Sequence, residues 1–342
     1  MIKTLFAVFF LLFVTGCAKG SPEQSSDNRS FVSVRNAVIA EGTAANSASA
    51  TEPCGITYPR PDETLAPRGL YEPENGCCVG AYILEDYVVN GDITEFEEKV
   101  GAEHAVYIYR MRLGGDFPFD WVLSCIAGMK TPFISVYPPE NGRLYDREML
   151  ERTAGDCGTY NIPVFINFYP LTDSETFDAA EYAAFYIEAR ELFTEYAPKA
   201  AFVWSVDSCL AYGGLNYYPG DGYTDWAGLC IYADIGGGGD YPALDGELGY
   251  FYNTFRNRKP MMISEFAASH YSPETNSYFE RQAAEFIVGF YENIAENYPR
   301  IKMINYMDIP RDGHSERTGA YCITSGEPLV SAYENALKNI DE

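Results

Sequence analysis

Residues 259–272 read Lys-Pro-Met-Met-Ile-Ser-Glu-Phe-Ala-Ala-Ser-His-Tyr-Ser, and the fold turns on the first eight of them. Pro260 stands at the head of the run, where a strand tolerates a missing N–H. Met261, Met262 and Ile263 follow as a short apolar stretch that runs straight into a carboxylate, Glu265. A strand with no polar face is a buried parallel strand, so this one delivers Glu265 to whatever lies at its carboxyl end. The same rhythm of apolar run, polar turn and longer helical segment repeats along the chain. Short runs rich in Val, Ile, Phe and Tyr predict strands at 79–82, 105–109, 133–137, 164–168, 201–206, 226–232, 261–266 and 302–307. Apolar residues three and four apart predict helices at 94–100, 178–196, 280–297 and 328–340. Eight βα units in one domain make an α/β protein, a (β/α)8 TIM barrel, rather than an open sheet. No Gly-x-Gly-x-x-Gly follows the first strand, which counts against a dinucleotide fold, and Gly236–Gly239 lacks the Lys-Ser/Thr of a phosphate loop.

The first residues read differently. Lys3 precedes an apolar segment from Leu5 to Val14 that is too short to span a bilayer and has the form of an export signal. It ends in Val14-Thr15-Gly16-Cys17, which resembles the lipobox of bacterial lipoproteins. That resemblance implies a signal peptide over 1–16, a lipid-bearing Cys17 and a location on the extracytoplasmic side of a bacterial cell envelope. Residues 17–52 are rich in Ser, Ala, Asn and Glu without apolar periodicity, and read as a flexible tether. The folded domain is expected over 53–342, as a monomer held to the membrane through the lipid alone.

The chain has 49 acidic residues against 24 basic ones, a net charge of −25, and no Lys/Arg stripe. Nucleic acid is therefore excluded as a partner, and a neutral ligand suits the chain better than a phosphorylated one. Apart from Cys17 the cysteines are Cys54, Cys77, Cys78, Cys125, Cys157, Cys209, Cys230 and Cys322. An even number in an exported chain predicts disulfides, with Cys125–Cys157 a candidate because successive barrel helices are neighbours. The competing metal reading finds no Cys-x-x-Cys, and His104, His270 and His314 are scattered, so neither a metal nor a cofactor is expected.

In a barrel of this kind the βα loops at the carboxyl ends of the strands build the site. Those ends carry Tyr137, Tyr169, Asp207, Tyr232, Asp234, Glu265 and Asp308, within a chain that holds 28 tyrosines. Sugars offer apolar C–H faces to aromatic rings and hydroxyls to carboxylates, so this mixture suits a polysaccharide or oligosaccharide. The segment FVWSVDSCLAYGGLNYYPGDGYTDWAGLCIY (202–232), followed by KPMMISEFA (259–267), resembles glycoside hydrolase family 26. Members of that family are mainly β-mannanases, with some acting on mixed-linkage glucan or xylan. They are (β/α)8 retaining hydrolases whose nucleophile is a glutamate at the tip of the seventh strand. The resemblance implies that Glu265 is the nucleophile, that Tyr232 hydrogen-bonds it, and that Trp204 and Trp226 are framework aromatics. Tyr169, Tyr218 and Tyr306, with Tyr232, Trp204 and Trp226, are the expected substrate contacts.

Retention requires a second carboxyl about 5–5.5 Å from the first. The family places it, after a histidine, at the end of the fourth strand. Here that end reads Asn167-Phe168-Tyr169-Pro170. The third strand ends Val136-Tyr137-Pro138 where the family often has Trp-Glu-Pro, and Tyr306 stands where a tryptophan is common. Glu175 or Asp173, in the following loop, and Asp207 are the candidates for a displaced acid. Three readings follow: a retaining hydrolase acting on a β-linked neutral polysaccharide such as mannan, a glycan-binding surface protein that has lost hydrolysis, and a structural lipoprotein.

Overall fold

The computed structural model describes residues 68–171, 177–311 and 319–340. The export signal, Cys17, the tether, Cys54, Asp173, Glu175 and His314 lie outside them. Eight parallel strands close into a barrel: β1 (Cys78–Tyr82), β2 (Val106–Arg112), β3 (Thr131–Tyr137), β4 (Val164–Phe168), β5 (Ala200–Asp207), β6 (Trp226–Ala233), β7 (Met261–Ala268) and β8 (Ile301–Met307). Closure is made by β1 against β8, in register from Cys78 opposite Met303 to Tyr82 opposite Met307. Helices α1 (Ile93–Val100), α2 (Phe119–Ala127), α3 (Arg147–Gly158), α4 (Ala179–Tyr196), α5 (Asp245–Phe255), α6 (Glu280–Asn297) and α7 (Glu327–Ile340) surround it. The (β/α)8 barrel expected from the apolar rhythm is what the chain forms.

Local chemistry sets the helix starts. Asp92, Asp146 and Asp178 each accept backbone N–H bonds at the head of α1, α3 and α4, satisfying donors that the first turn leaves open. One unit departs from the pattern. After β5 the chain makes two 3-10 turns, Ser208–Leu210 and Gly214–Tyr217, where an eighth α-helix was expected. Gly213-Gly214 and Pro219-Gly220 interrupt that stretch, and Gly220 adopts φ 107°, which a helix cannot contain.

The core has two shells. Inside the barrel, Val106, Ile108, Phe133, Phe165, Val203, Trp226, Met262 and Met303 pack together. Alternate strand residues face outward onto the helices, with Phe168, Phe202, Trp204, Phe266 and Tyr306 among them. Trp226 opens β6 and is fully buried; its Nε1–H donates to Leu70 O at 2.7 Å and its ring meets Phe165 edge-on at 5.7 Å. Further along the barrel, Asn167 and Ser205 exchange hydrogen bonds of 2.7 and 3.1 Å, and Asn305 donates to Ser264 O. The barrel is thus apolar where its strands begin and polar toward the ends where they finish.

On β7 the pairing slips. Leu229 and Cys230 of β6 lie opposite Ile263 and Glu265, and Ile304 and Tyr306 of β8 lie opposite Ile263 and Phe266. Both neighbours therefore record one extra residue on β7, a bulge at Ser264–Glu265. Met262 and Ala267, five positions apart in number, both face the interior only because of it.

The disulfide expectation fails among the described residues, where no bridge is present. Cys125 on α2 and Cys157 on α3 are separate buried thiols, each on the face its own helix turns to the barrel. Burial pushes both up to about 12, so they are inert packing residues.

His104 is buried between α1 and α7, its Nε2 2.9 Å from Tyr333 Oη, with Glu97 bonded to its backbone N–H and to Lys130. Burial lowers its pKa from 6.5 to about 4, with Glu97 opposing and Lys130 assisting. Burial moves His270 in the same direction, also to about 4. Unfolded imidazoles take up protons below about pH 6.5 while the folded ones stay neutral, so stability falls as pH drops from 6.5 toward 4. Each histidine contributes up to roughly 3 kcal/mol to that loss. Urea unfolding at pH 7.5 and 4.5 should register it, and His104→Gln should remove about half. An unaltered difference in the variant would assign the effect elsewhere.

Candidate active site

Three strands bring one constellation together at the carboxyl end of the barrel. In β2, Val106 and Ile108 face inward, so alternation turns Arg110 inward as well. In β6 the inward row from Trp226 through Gly228 and Cys230 ends on Tyr232. In β7 the bulge turns Glu265 to the same side. Tyr232 Oη donates to Glu265 Oε2 at 2.6 Å, Arg110 Nη2 donates to the same oxygen at 3.0 Å, and that nitrogen also donates to Tyr232 Oη at 2.7 Å.

The triangle divides the carboxylate into two unlike oxygens. Oε2 takes both charge-assisted bonds, whereas Oε1 is buried with no hydrogen-bond partner. Glu265 is only 3% exposed, so its charge rests on Arg110 and Tyr232 rather than on water. Burial works against the Arg110 guanidinium, but its contacts with the Tyr232 hydroxyl and the Glu265 carboxylate more than offset it and hold its pKa well above the ordinary value. The guanidinium also lies over the Tyr82 ring, 4.7 Å from its centre, and Tyr82 Oη donates to Glu85 at 2.7 Å. On the other side Tyr321 stands edge-on to Tyr232 at 5.7 Å and donates to Asp234. A fixed carboxylate with one oxygen held and one unbonded is an arrangement that can act as a nucleophile.

Of the residues expected here, Glu265 and Tyr232 are brought together. Five others lie elsewhere. Trp204 faces outward from β5 against Tyr218 at 4.9 Å and Phe255, and is fully buried. Tyr218 sits beneath Arg258 and donates to Asp221 at 2.7 Å. Trp226 closes the opposite end of the barrel. Tyr306 points to the helices, packed on Phe266 and Tyr333, with its hydroxyl donating to Tyr321 O at 3.0 Å. Tyr169 adopts φ 52°, which swings its ring out of β4 onto Phe185 at 4.7 Å. These rings hold the barrel and its loops in place rather than facing the triangle.

Of the acids expected as the second carboxyl, none is hydrogen-bonded to the triangle among the described residues. Asp207, half-buried at the end of β5, caps the turn after it by accepting from Cys209 N at 3.1 Å. Glu175 lies outside the described residues. The inward residue of β4, Asn167, is bonded to Ser205. Sequence reasoning missed Arg110, Tyr82 and Tyr321. Arg110 could have been found, because a lone charge on the inward row of an otherwise apolar strand must have a partner inside.

No protein-family profile matches the chain, and no curated protein is similar to it in sequence. Solved structures share its architecture. A family 26 β-mannanase of Bacteroides ovatus, BoMan26A, superposes with a TM-score of 0.55 at 13% identity, over 78% of this chain and 88% of that one. A modular endo-β-1,4-mannanase of Cellulomonas fimi gives 0.54 at 13% identity, over 77% and 70%. Cel5A of Thermotoga maritima, solved with cellobiose, gives 0.52 at 13% identity, over 75% and 97%. At such identities the likeness is one of fold, and what this chain is similar to is the barrel on which these glycoside hydrolases are built.

Proposed function

We propose that the protein is a glycoside hydrolase of retaining type, acting on a β-linked neutral polysaccharide such as mannan, with Glu265 as nucleophile. The observation that carries this is the asymmetry of Glu265: Oε2 fastened by Tyr232 and Arg110, Oε1 unbonded and ready to meet an anomeric carbon. The general acid is a carboxyl from the loop after β4, where Glu175 stands, or Asp207 after release from its cap. The same proposal includes export, lipidation of Cys17 and a tether ending near residue 52, which would hold the barrel at the cell surface within reach of polymer.

A second reading, glycan binding without hydrolysis, is favoured by one observation. No carboxylate among the described residues hydrogen-bonds within the triangle besides Glu265 itself, and β4 offers Asn167 and Tyr169 where an acid is needed. Incubation with mannan, glucomannan, mixed-linkage glucan and xylan decides between them. New reducing ends whose first-formed anomer retains the β configuration are expected. Retardation of one polymer in an affinity gel with no new reducing ends would leave the binding reading, and neither result would end both.

A further inference from the structure

A second buried cluster lies away from the Glu265 triangle, on the outer side of the seam where β1 meets β8. Asp86 follows β1, Asp308 follows β8 and pairs with β1 by donating its N–H to Tyr82 O, and Cys322 precedes a 3-10 turn at Ile323–Ser325. All three are at most 1% exposed, and one ligand atom from each lies within 4.8 Å of the other two. Asp86 accepts from Val88 N at 2.7 Å and from Thr324 Oγ1 at 2.8 Å, while Asp308 Oδ1 accepts from Ile323 N at 2.8 Å. Asp308 Oδ2 is buried with no hydrogen-bond partner. No Lys, Arg or His among the described residues pairs with either aspartate. Two carboxylates closed off together without a cation are unstable, and the remaining partner is a thiol, itself within 3.1 Å of Thr324 Oγ1.

We propose that Asp86, Asp308 and Cys322 form a buried site for a zinc-type divalent cation, with Asp308 Oδ2, a carboxylate oxygen of Asp86 and Cys322 Sγ as its ligands. One thiolate and two carboxylates suit a borderline ion that takes three protein ligands and completes its four with water; calcium needs six to eight oxygens and does not favour a thiolate. A carboxylate oxygen that already accepts one hydrogen bond keeps a second lone pair for the metal. A thiol ligates as the thiolate, so Cys322 must give up its proton when the ion enters. The incoming ion displaces that proton to solvent as the metal–sulfur bond forms, together with any proton the two carboxyls share. The site joins the first and last strands of the barrel, so its role is to hold the closure.

The full chain, stripped with chelator, is titrated with cobalt(II) as the probe. One cobalt per chain, a near-ultraviolet thiolate charge-transfer band, release of one to two protons per ion and displacement by zinc are expected. Cys322→Ser should abolish the band, and Cys209→Ser should leave it. Asp308→Asn, which keeps the shape, should weaken cobalt at least tenfold with an unchanged far-ultraviolet dichroism spectrum. Absence of binding to the native chain would overturn the site and leave a carboxyl pair sharing a proton. A band that survives Cys322→Ser and vanishes in Cys77→Ser would overturn it equally.

Discussion

Glu265→Gln is expected to lower kcat on any polysaccharide the protein cleaves by on the order of 10⁴-fold or more, with KM changed by less than about tenfold. Glutamine matches glutamate in shape and retains an acceptor for Tyr232 Oη and Arg110 Nη2, so the triangle keeps its outline. What it loses is the unbonded, charged Oε1, and with it the covalent glycosyl intermediate. A variant that binds but does not turn over thus separates the nucleophile from a carboxylate that merely grips a hydroxyl. Initial rates on the best polymer from the panel supply the measurement. Residual activity within tenfold of the native protein would sink the assignment of Glu265.

Trp226→Ala is expected to cost about 3–5 kcal/mol of folding stability through the lost ring and the cavity left among Phe165, Met262 and Met303. The abandoned Leu70 carbonyl adds to that where water cannot reach it. Trp226→Phe keeps most of the packing and should cost less than half as much. Urea unfolding followed by circular dichroism gives both values. At a temperature where the alanine variant remains folded, its KM should match the native one, because the ring lies at the end of the barrel where strands begin. A loss under about 1 kcal/mol would show that the ring does not plug the barrel.

The barrel was legible because its signal is redundant. Each buried strand announces itself by a short apolar run, and Pro163 and Pro260 mark two of the entries. Glu265 and Tyr232 were legible from position, since carboxyl ends of strands build the site. The aromatics were not. A period of two assigns Trp204 and Tyr306 to a face only once the register is known, and both belong to the outward row. Tyr169 escaped for another reason: its left-handed backbone reverses the expected direction, and a non-glycine residue gives no warning of that. The Asp86–Asp308–Cys322 cluster draws on residues more than 200 positions apart, brought together by the closure of β1 on β8, which no local spacing records.

The bulge in β7 gives the triangle a peculiar vulnerability. Glu265 faces Arg110 and Tyr232 because the strand holds one residue more than its neighbours, so the aim is fixed by a count and not by the identity of the side chains before it. Exchanging Met261, Met262 or Ile263 for other apolar residues preserves that count. Straightening the strand over the same residues does not preserve the aim: plain alternation from Met262 would turn Glu265 toward the helices, whereas deleting Ser264 would leave Glu265 two places after Met262 and still facing inward. Substitution along this strand is therefore permissive so long as the slip at Ser264–Glu265 is kept. Two chains could share most of their residues here and differ wholly in what the strand presents.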